Sequence, residues 1–199
     1  MSDRCKFFSF SHLGKSHEED SLPNQDSYRF WQSDSSAVIV VSDGAGSASR
    51  SKQGSEAIVE SVVEAFRRAP PSYLAHICEN IHLISTLVEV AVECARIKLA
   101  RPNLKQRLLN KPTSLDEYSA TLILAVTNWQ ETAIFHVGDG YGGAARIGLD
   151  GTIQDEVISL PVNGEYDNET YFFTDPKWRS SLRITVVDFP ANFLFAMTD

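Results

Sequence analysis

Cysteine is scarce: Cys5, Cys78 and Cys94 are the whole supply, odd in number and without a CxxC pair. That argues against a disulfide framework and for a reducing compartment. Basic charge is also short, with 18 Lys and Arg against 26 Asp and Glu and a net charge of −8. An acidic surface repels phosphate backbones, and the short clusters at Arg67-Arg68 and Lys98 to Arg101 read as solvated helix ends, so no nucleic-acid partner is expected. Long apolar runs are missing too. The longest largely apolar stretch, Ala120 to Val126, is far too short to span a bilayer. The opening MSDRCKFFSFSHLG lacks the apolar core and cleavage pattern of a signal peptide. The expectation is a cytoplasmic chain with no membrane partner. Internal repeats and low-complexity tracts are absent as well.

What is present is ordinary for a globular protein. With 199 residues, 43% apolar and 22% charged, the chain reads as a single domain over 1–199 with a real core. CKFFSF (5–10) and SYRFWQ (27–32) are aromatic-rich and predict strands, while AVIVV (37–41) is a β-branched run suited to burial on both faces. From Ser55 the period changes: Ile58, Val62 and Phe66, with Val59 and Val63, mark one face of a helix that Pro70-Pro71 ends. A second helix is predicted from Tyr73 to Leu99 on the stripe Ile77, Ile81, Ile84, Val88, Ala91 and Ala95, with a break near Ser85-Thr86. After a polar link (101–116) come SATLILAV, TAIFHV, GGAARI, TIQDEVI, TYFFT, LRITVV and NFLFAM, all strand-like and separated by turn residues. Strands, then two helices, then more strands imply an α+β domain with helices packed on antiparallel sheets.

Acidic residues fall at the ends of these strands. Asp26 precedes SYRFWQ, Asp43 ends AVIVVS before Gly44, Asp139 sits in HVGDG and Asp199 follows FLFAMT. Strand ends meet along one rim of a sheet, where converging carboxylates repel unless cations or protons intervene. Oxygen-rich clusters suit Mg²⁺ or Mn²⁺, and a glycine beside one ligand lets a backbone carbonyl approach the ion. Two such ions can activate a water for in-line phosphoryl displacement. Taken singly, Asp139-Gly140 reads as a hairpin turn and Asn24 to Asp26 as a polar turn; the set carries the weight.

Other motifs fit less well. Gly44 and Gly46 after a strand, with Glu64 downstream, imitate a dinucleotide fingerprint, but the third glycine is Ser49 and Asp43 would face a pyrophosphate. No GxSxG elbow is present.

The motifs together resemble the metal-dependent protein phosphatase family (protein phosphatase 2C, PPM), particularly its bacterial branch. SHLGKSHEEDSLPNQDSYRF is similar to the opening Gly-x-Ser-His loop and Gln-Asp pair. VVSDGAGSASRSKQGSEAI is similar to the metal-binding Asp-Gly segment and its helix; YSATLILAV and FHVGDGYGGAAR resemble the core strands and Gly-Asp turn. GEYDNETYFFT resembles the flap-side segment and FLFAMTD the strand reaching the next metal aspartate.

The resemblance implies a β-sandwich of two antiparallel sheets flanked by helices, and a phosphoserine/phosphothreonine phosphatase using water activated by two Mn²⁺ or Mg²⁺ ions, with a possible third. In that scheme Asp43 bridges both ions, the Gly44 carbonyl ligates the first, Asp199 ligates the second, Asp139 serves the third, and Asp26 lies in or behind the shell. Partners would be a phosphoprotein and a cognate Ser/Thr kinase. Departures are Ala45, where animal enzymes have a histidine, and the lack of a clamping arginine near Gln25-Asp26, for which His17 or Arg50 could substitute. The chain closes on Asp199, ahead of the family's last helix, strand and metal aspartate, so an incomplete domain is expected. The alternative is a truncated pseudophosphatase acting as a binding or regulatory module.

Overall fold

The computed structural model describes residues 6–11, 24–101, 114–161 and 170–198. Among these residues, eight strands form two antiparallel sheets. The larger has the order β1-β2-β3-β4-β7: β1 Ser27–Gln32, β2 Ala37–Ser42, β3 Leu122–Thr127, β4 Thr132–Val137 and β7 Arg183–Val187. The smaller has the order β6-β5-β8: β5 Tyr141–Ile147, β6 Ile153–Ser159 and β8 Phe193–Met197. Helices α1 (Ser51–Arg68), α2 (Pro71–Ala75) and α3 (Ile81–Ala100) lie between β2 and β3 in sequence, and a short α4 (Trp178–Ser181) precedes β7.

Strand alternation divides the core into two layers. Val38, Val40, Leu122, Leu124, Val126, Ala133 and Phe135 face α1 and α3, meeting Ile58, Val62, Phe66, Ile84, Val88 and Ala95. Ala125, Ile134 and Val187 point the other way and meet Ala144, Val157 and Leu194 of the smaller sheet. This is why β3 and β4 are buried at every position and read as unbroken apolar runs rather than alternating ones.

Four elements differ from the sequence expectation. Residues 6–10 form no strand; Phe7 instead stacks on Phe30 of β1 with ring centroids 4.5 Å apart. Helix α1 begins at Ser51, a turn before the apolar stripe, because the Arg50 carbonyl already accepts from Gln53 and Gly54. The expected helix over Tyr73–Leu99 breaks at 76–80 and not at Ser85-Thr86. There the Glu131 carboxylate accepts from the Ile77 amide at 2.6 Å, a bond that takes the place of a helical one. TYFFT is not a strand: the Phe173 amide donates to the Ala120 carbonyl, and Arg96 of α3 donates to the carbonyls of Phe173 and Asp175. With its backbone groups satisfied by a helix arginine and a loop, the segment has no need of a ladder.

Candidate metal and active site

The ladder registers bring the singled-out strand ends to one rim. Ser27 pairs with Ser42, Val41 with Ile123, and Leu122 with Val137, so the start of β1, the end of β2, the start of β3 and the end of β4 share an edge. Tyr141 pairs with Met197, placing the start of β5 beside the end of β8. Asp26, Asp43 and Asp139 are all half-buried on that rim. Asp199 and His17 lie outside the described residues.

Asp43 is held through its backbone. The Thr121 amide donates to the Asp43 carbonyl at 2.8 Å, and the Asp43 amide donates to Thr121 Oγ1 at 2.9 Å. Ser42 Oγ donates to the Thr121 carbonyl at 2.6 Å, and the Ala45 amide to the Ser119 carbonyl at 2.9 Å. The strand thus continues past Ser42 along 119–121, and these bonds fix the Asp43 backbone at the rim. Gly44 is wedged in this extension. A Cβ there would lie 2.9 Å from the Gln25 carbonyl and 2.9 Å from Ser51 Cβ, so no side chain fits and the segments bearing Asp26 and Asp43 stay close. The Gln25 carbonyl is itself tied to α1 by Ser55 Oγ at 2.5 Å.

Thr121 also connects Asp43 to Asp139. A Cβ on Gly138 would lie 2.5 Å from Thr121 Cγ2, so the turn carrying Asp139 packs directly on the threonine. Thr170 Oγ1 donates to Asp139 Oδ2 at 2.6 Å, while Asp139 Oδ1 is buried with no partner among the described residues. Gly140 lies against Met197 and Thr198, since its Cβ would be 2.4 Å from the Met197 carbonyl. Sequence reasoning gave no role to Thr121 or Thr170; the hydroxyl at each is silent until its partner is known. Thr121→Val keeps the packing on Gly138 but leaves the Asp43 amide without its acceptor. It is expected to weaken Mn²⁺ binding about 10- to 100-fold by calorimetry and to cost roughly 1–3 kcal/mol in urea unfolding.

Arg50 is already engaged. Its Nη1 donates to the Tyr118 hydroxyl at 2.8 Å and lies 3.4 Å from Glu117, with the guanidinium over the Tyr118 ring. The cation expected to compensate for a missing clamp therefore braces α1 against the segment before β3.

His136 on β4 is a buried group the sequence did not single out. Its Nδ1 is 3.1 Å from Ser159 Oγ and its Nε2 has no partner among the described residues. Burial, reinforced by the positive charge of Arg183 across the ladder, lowers its pKa from 6.5 to about 4. Between those values the unfolded chain binds a proton that the folded chain refuses. Stability is therefore unaffected by His136 above pH 6.5, falls with pH through the window, and is lower by about 3 kcal/mol at pH 4. Urea midpoints at pH 7.5 and 4.5 should diverge more in the wild type than in His136→Asn.

Among the described residues, no three His, Cys, Asp or Glu side chains gather closely enough to hold an ion by themselves. The donors on the rim nevertheless suit a hard divalent cation: carboxylates, a backbone carbonyl beside Gly44, and a buried carboxylate oxygen on Asp139 that lacks a donor. Among the described residues, the rim aspartates and carbonyls offer oxygen and not the nitrogen or sulfur donors that zinc prefers.

A two-sheet sandwich with helices against one face and acidic strand ends on one rim defines the class. The chain belongs to the protein phosphatase 2C family, whose model matches residues 13–199. Solved structures show the same fold. A bacterial serine phosphatase variant is 14% identical with a TM-score of 0.54, covering 86% of this chain and 66% of its own. The serine/threonine phosphatase Stp1 from Staphylococcus aureus is 15% identical, TM-score 0.53, over 86% and 67%. The catalytic domain of the phosphatase PstP, in complex with two manganese ions, is 14% identical, TM-score 0.52, over 83% and 66%. The chain thus spans about two thirds of the length of these structures. No curated protein matches it.

Proposed function

We propose that this chain is a divalent-metal-dependent phosphatase acting on phosphoserine and phosphothreonine in proteins. The observation that carries the reading is the brace through Thr121, which fixes Asp43 and packs on the turn of Asp139 at the same rim. Asp43, the Gly44 carbonyl, Asp139 and Asp199, with Asp26 in or behind them, would hold two Mn²⁺ or Mg²⁺ ions and a possible third. Such ions supply water activation and screening of phosphoryl charge when bound. The residues themselves keep the carboxylates apart from solvent on one side, fix the Asp43 backbone, and leave no side chain at Gly44 to block the approach. No nucleophilic side chain is required at the rim, so no covalent intermediate is expected. Ala45 offers no proton to the leaving group, which leaves that task to solvent. A cognate Ser/Thr kinase and a cytoplasmic setting accompany this reading.

The test is hydrolysis of p-nitrophenyl phosphate and of a phosphothreonine peptide with Mn²⁺ and with EDTA, in wild type and Asp43→Asn. Hydrolysis that needs both Mn²⁺ and Asp43 supports the enzyme. Equal rates in the two proteins, or none in either, would favour a binding module that keeps the fold without turnover.

A further inference from the structure

We propose that the N-terminus of α1 is an oxyanion site for a phosphate group, built from Ser51, Gln25 and Lys52 beside Gly44. A cleft of about 470 Å³ lies there, lined by Gln25, Ser47, Arg50, Ser51, Lys52 and Glu56 among others. Helix α1 has 18 residues, no side-chain cap at Arg50 and no acidic residue in its first turn. Neither its cap residue nor its first turn therefore compensates its positive end. The Lys52 amide donates to no backbone carbonyl among the described residues.

A second observation points independently to a ligand. Gln25 is 8% exposed and Ser51 1% exposed, yet Gln25 Oε1 and Ser51 Oγ are both buried without a hydrogen-bond partner among the described residues. Two orphaned polar atoms on one cleft wall are costly unless a ligand satisfies them. A serine hydroxyl rotates to donate, and a glutamine amide, turned about its last bond, presents its NH₂ instead of its oxygen. Both then become donors, like the first-turn amides, and the guest that wants only donors is an anion. Lys52 is exposed and adds positive charge, which opposes the exposed Glu56 one turn later. Arg50 contributes little net charge because Glu117 lies 3.4 Å from it.

The placement gives the site a use. A Cβ on Gly44 would meet both Gln25 and Ser51, so two residues that line the cleft pack against the glycine that follows Asp43. A tetrahedral phosphoryl group held here would be oriented by helix amides and hydroxyls, in place of a guanidinium clamp. That use rests on the phosphatase reading; the binding does not.

The experiment is a ¹H–¹⁵N correlation titration of the metal-free full chain, in EDTA and at constant ionic strength, with sodium phosphate. Saturable shifts centred on Gly46 to Gln53 are expected in wild type. Lys52→Glu should weaken binding at least about tenfold while leaving the thermal midpoint unchanged or raised, because an acid in the first turn favours the helix. Ser51→Ala should weaken it severalfold without unfolding the chain. Absence of saturation, shifts spread over the surface, or unchanged affinity in Lys52→Glu would overturn the site. A phosphoserine peptide forms a second arm. Shifts at the same amides assign the site to substrate; a response to inorganic phosphate alone overturns that assignment and leaves a product-phosphate site. Phosphate binding without any aryl phosphate hydrolysis sinks the enzyme reading only, and hydrolysis without these shifts sinks the site only.

Discussion

Asp43→Asn is expected to lower Mn²⁺-dependent hydrolysis of p-nitrophenyl phosphate on the order of 10³-fold, with the thermal midpoint unchanged or slightly higher. The two halves of this result have separate causes. The Asp43 amide and carbonyl are both bonded to Thr121, and asparagine keeps both bonds. The chemistry uses the carboxylate, and asparagine loses one anionic oxygen and the charge that draws a divalent ion. Removing one negative charge from the acidic rim also lowers the charge that the metal-free protein carries there. Asp139→Asn should have a milder effect, since Thr170 still has an oxygen to donate to while only the orphaned Oδ1 side of the carboxylate changes character. Parallel initial rates, Mn²⁺ titrations and melting curves of the three proteins check this. A large fall in stability with Asp43→Asn would mean that the side chain is structural and the metal assignment wrong.

The second large effect is on folding. Gly54→Ala should destabilise the protein by about 3 kcal/mol or more in urea unfolding, although alanine is the better helix former by about 1 kcal/mol. Gly54 is buried in the first turns of α1, and a Cβ there would lie 2.0 Å from the carbonyl oxygen of Tyr118. That oxygen is backbone and cannot swing aside. Tyr118 is tied to the same helix by Arg50, whose side chain bonds its hydroxyl and whose amide donates to the Glu117 carbonyl. Forcing α1 outward would therefore displace the turn Leu115–Tyr118 and the following Ser119 to Thr121, which hold Asp43. Loss of Mn²⁺ affinity should accompany the loss of stability. A Gly54→Ala protein as stable as wild type would show that the contact relaxes without cost.

Both results depend on a short segment whose importance was not visible in one dimension. Ser119 to Thr121 reads as the polar entrance to a strand, and its residues carry no charge. What gives Thr121 its place is that β3 lies between β2 and β4, so one hydroxyl and one methyl reach the turns on either side. The same logic explains the misread strand at TYFFT. Its aromatic and β-branched residues suit a ladder, but Arg96, far away in sequence on α3, reaches the carbonyls of Phe173 and Asp175.

Much was nonetheless determined by the sequence alone. The 3.6-residue period after Ser55, the unbroken apolar runs at 122–126 and 132–137 and the turn residues between strands are local consequences of burial, so the α+β class followed from them. Carboxylates at strand ends beside glycines are equally local, and antiparallel pairing had to bring them to a rim. The tertiary structure decided which backbone groups fix those carboxylates, where α1 begins, and that Arg50 is committed to Tyr118 and Glu117. It also left Gln25 and Ser51 with buried polar atoms lacking partners among the described residues. Those outcomes depend on side chains tens of residues apart arriving within hydrogen-bond distance, and no periodicity in the chain encodes such meetings.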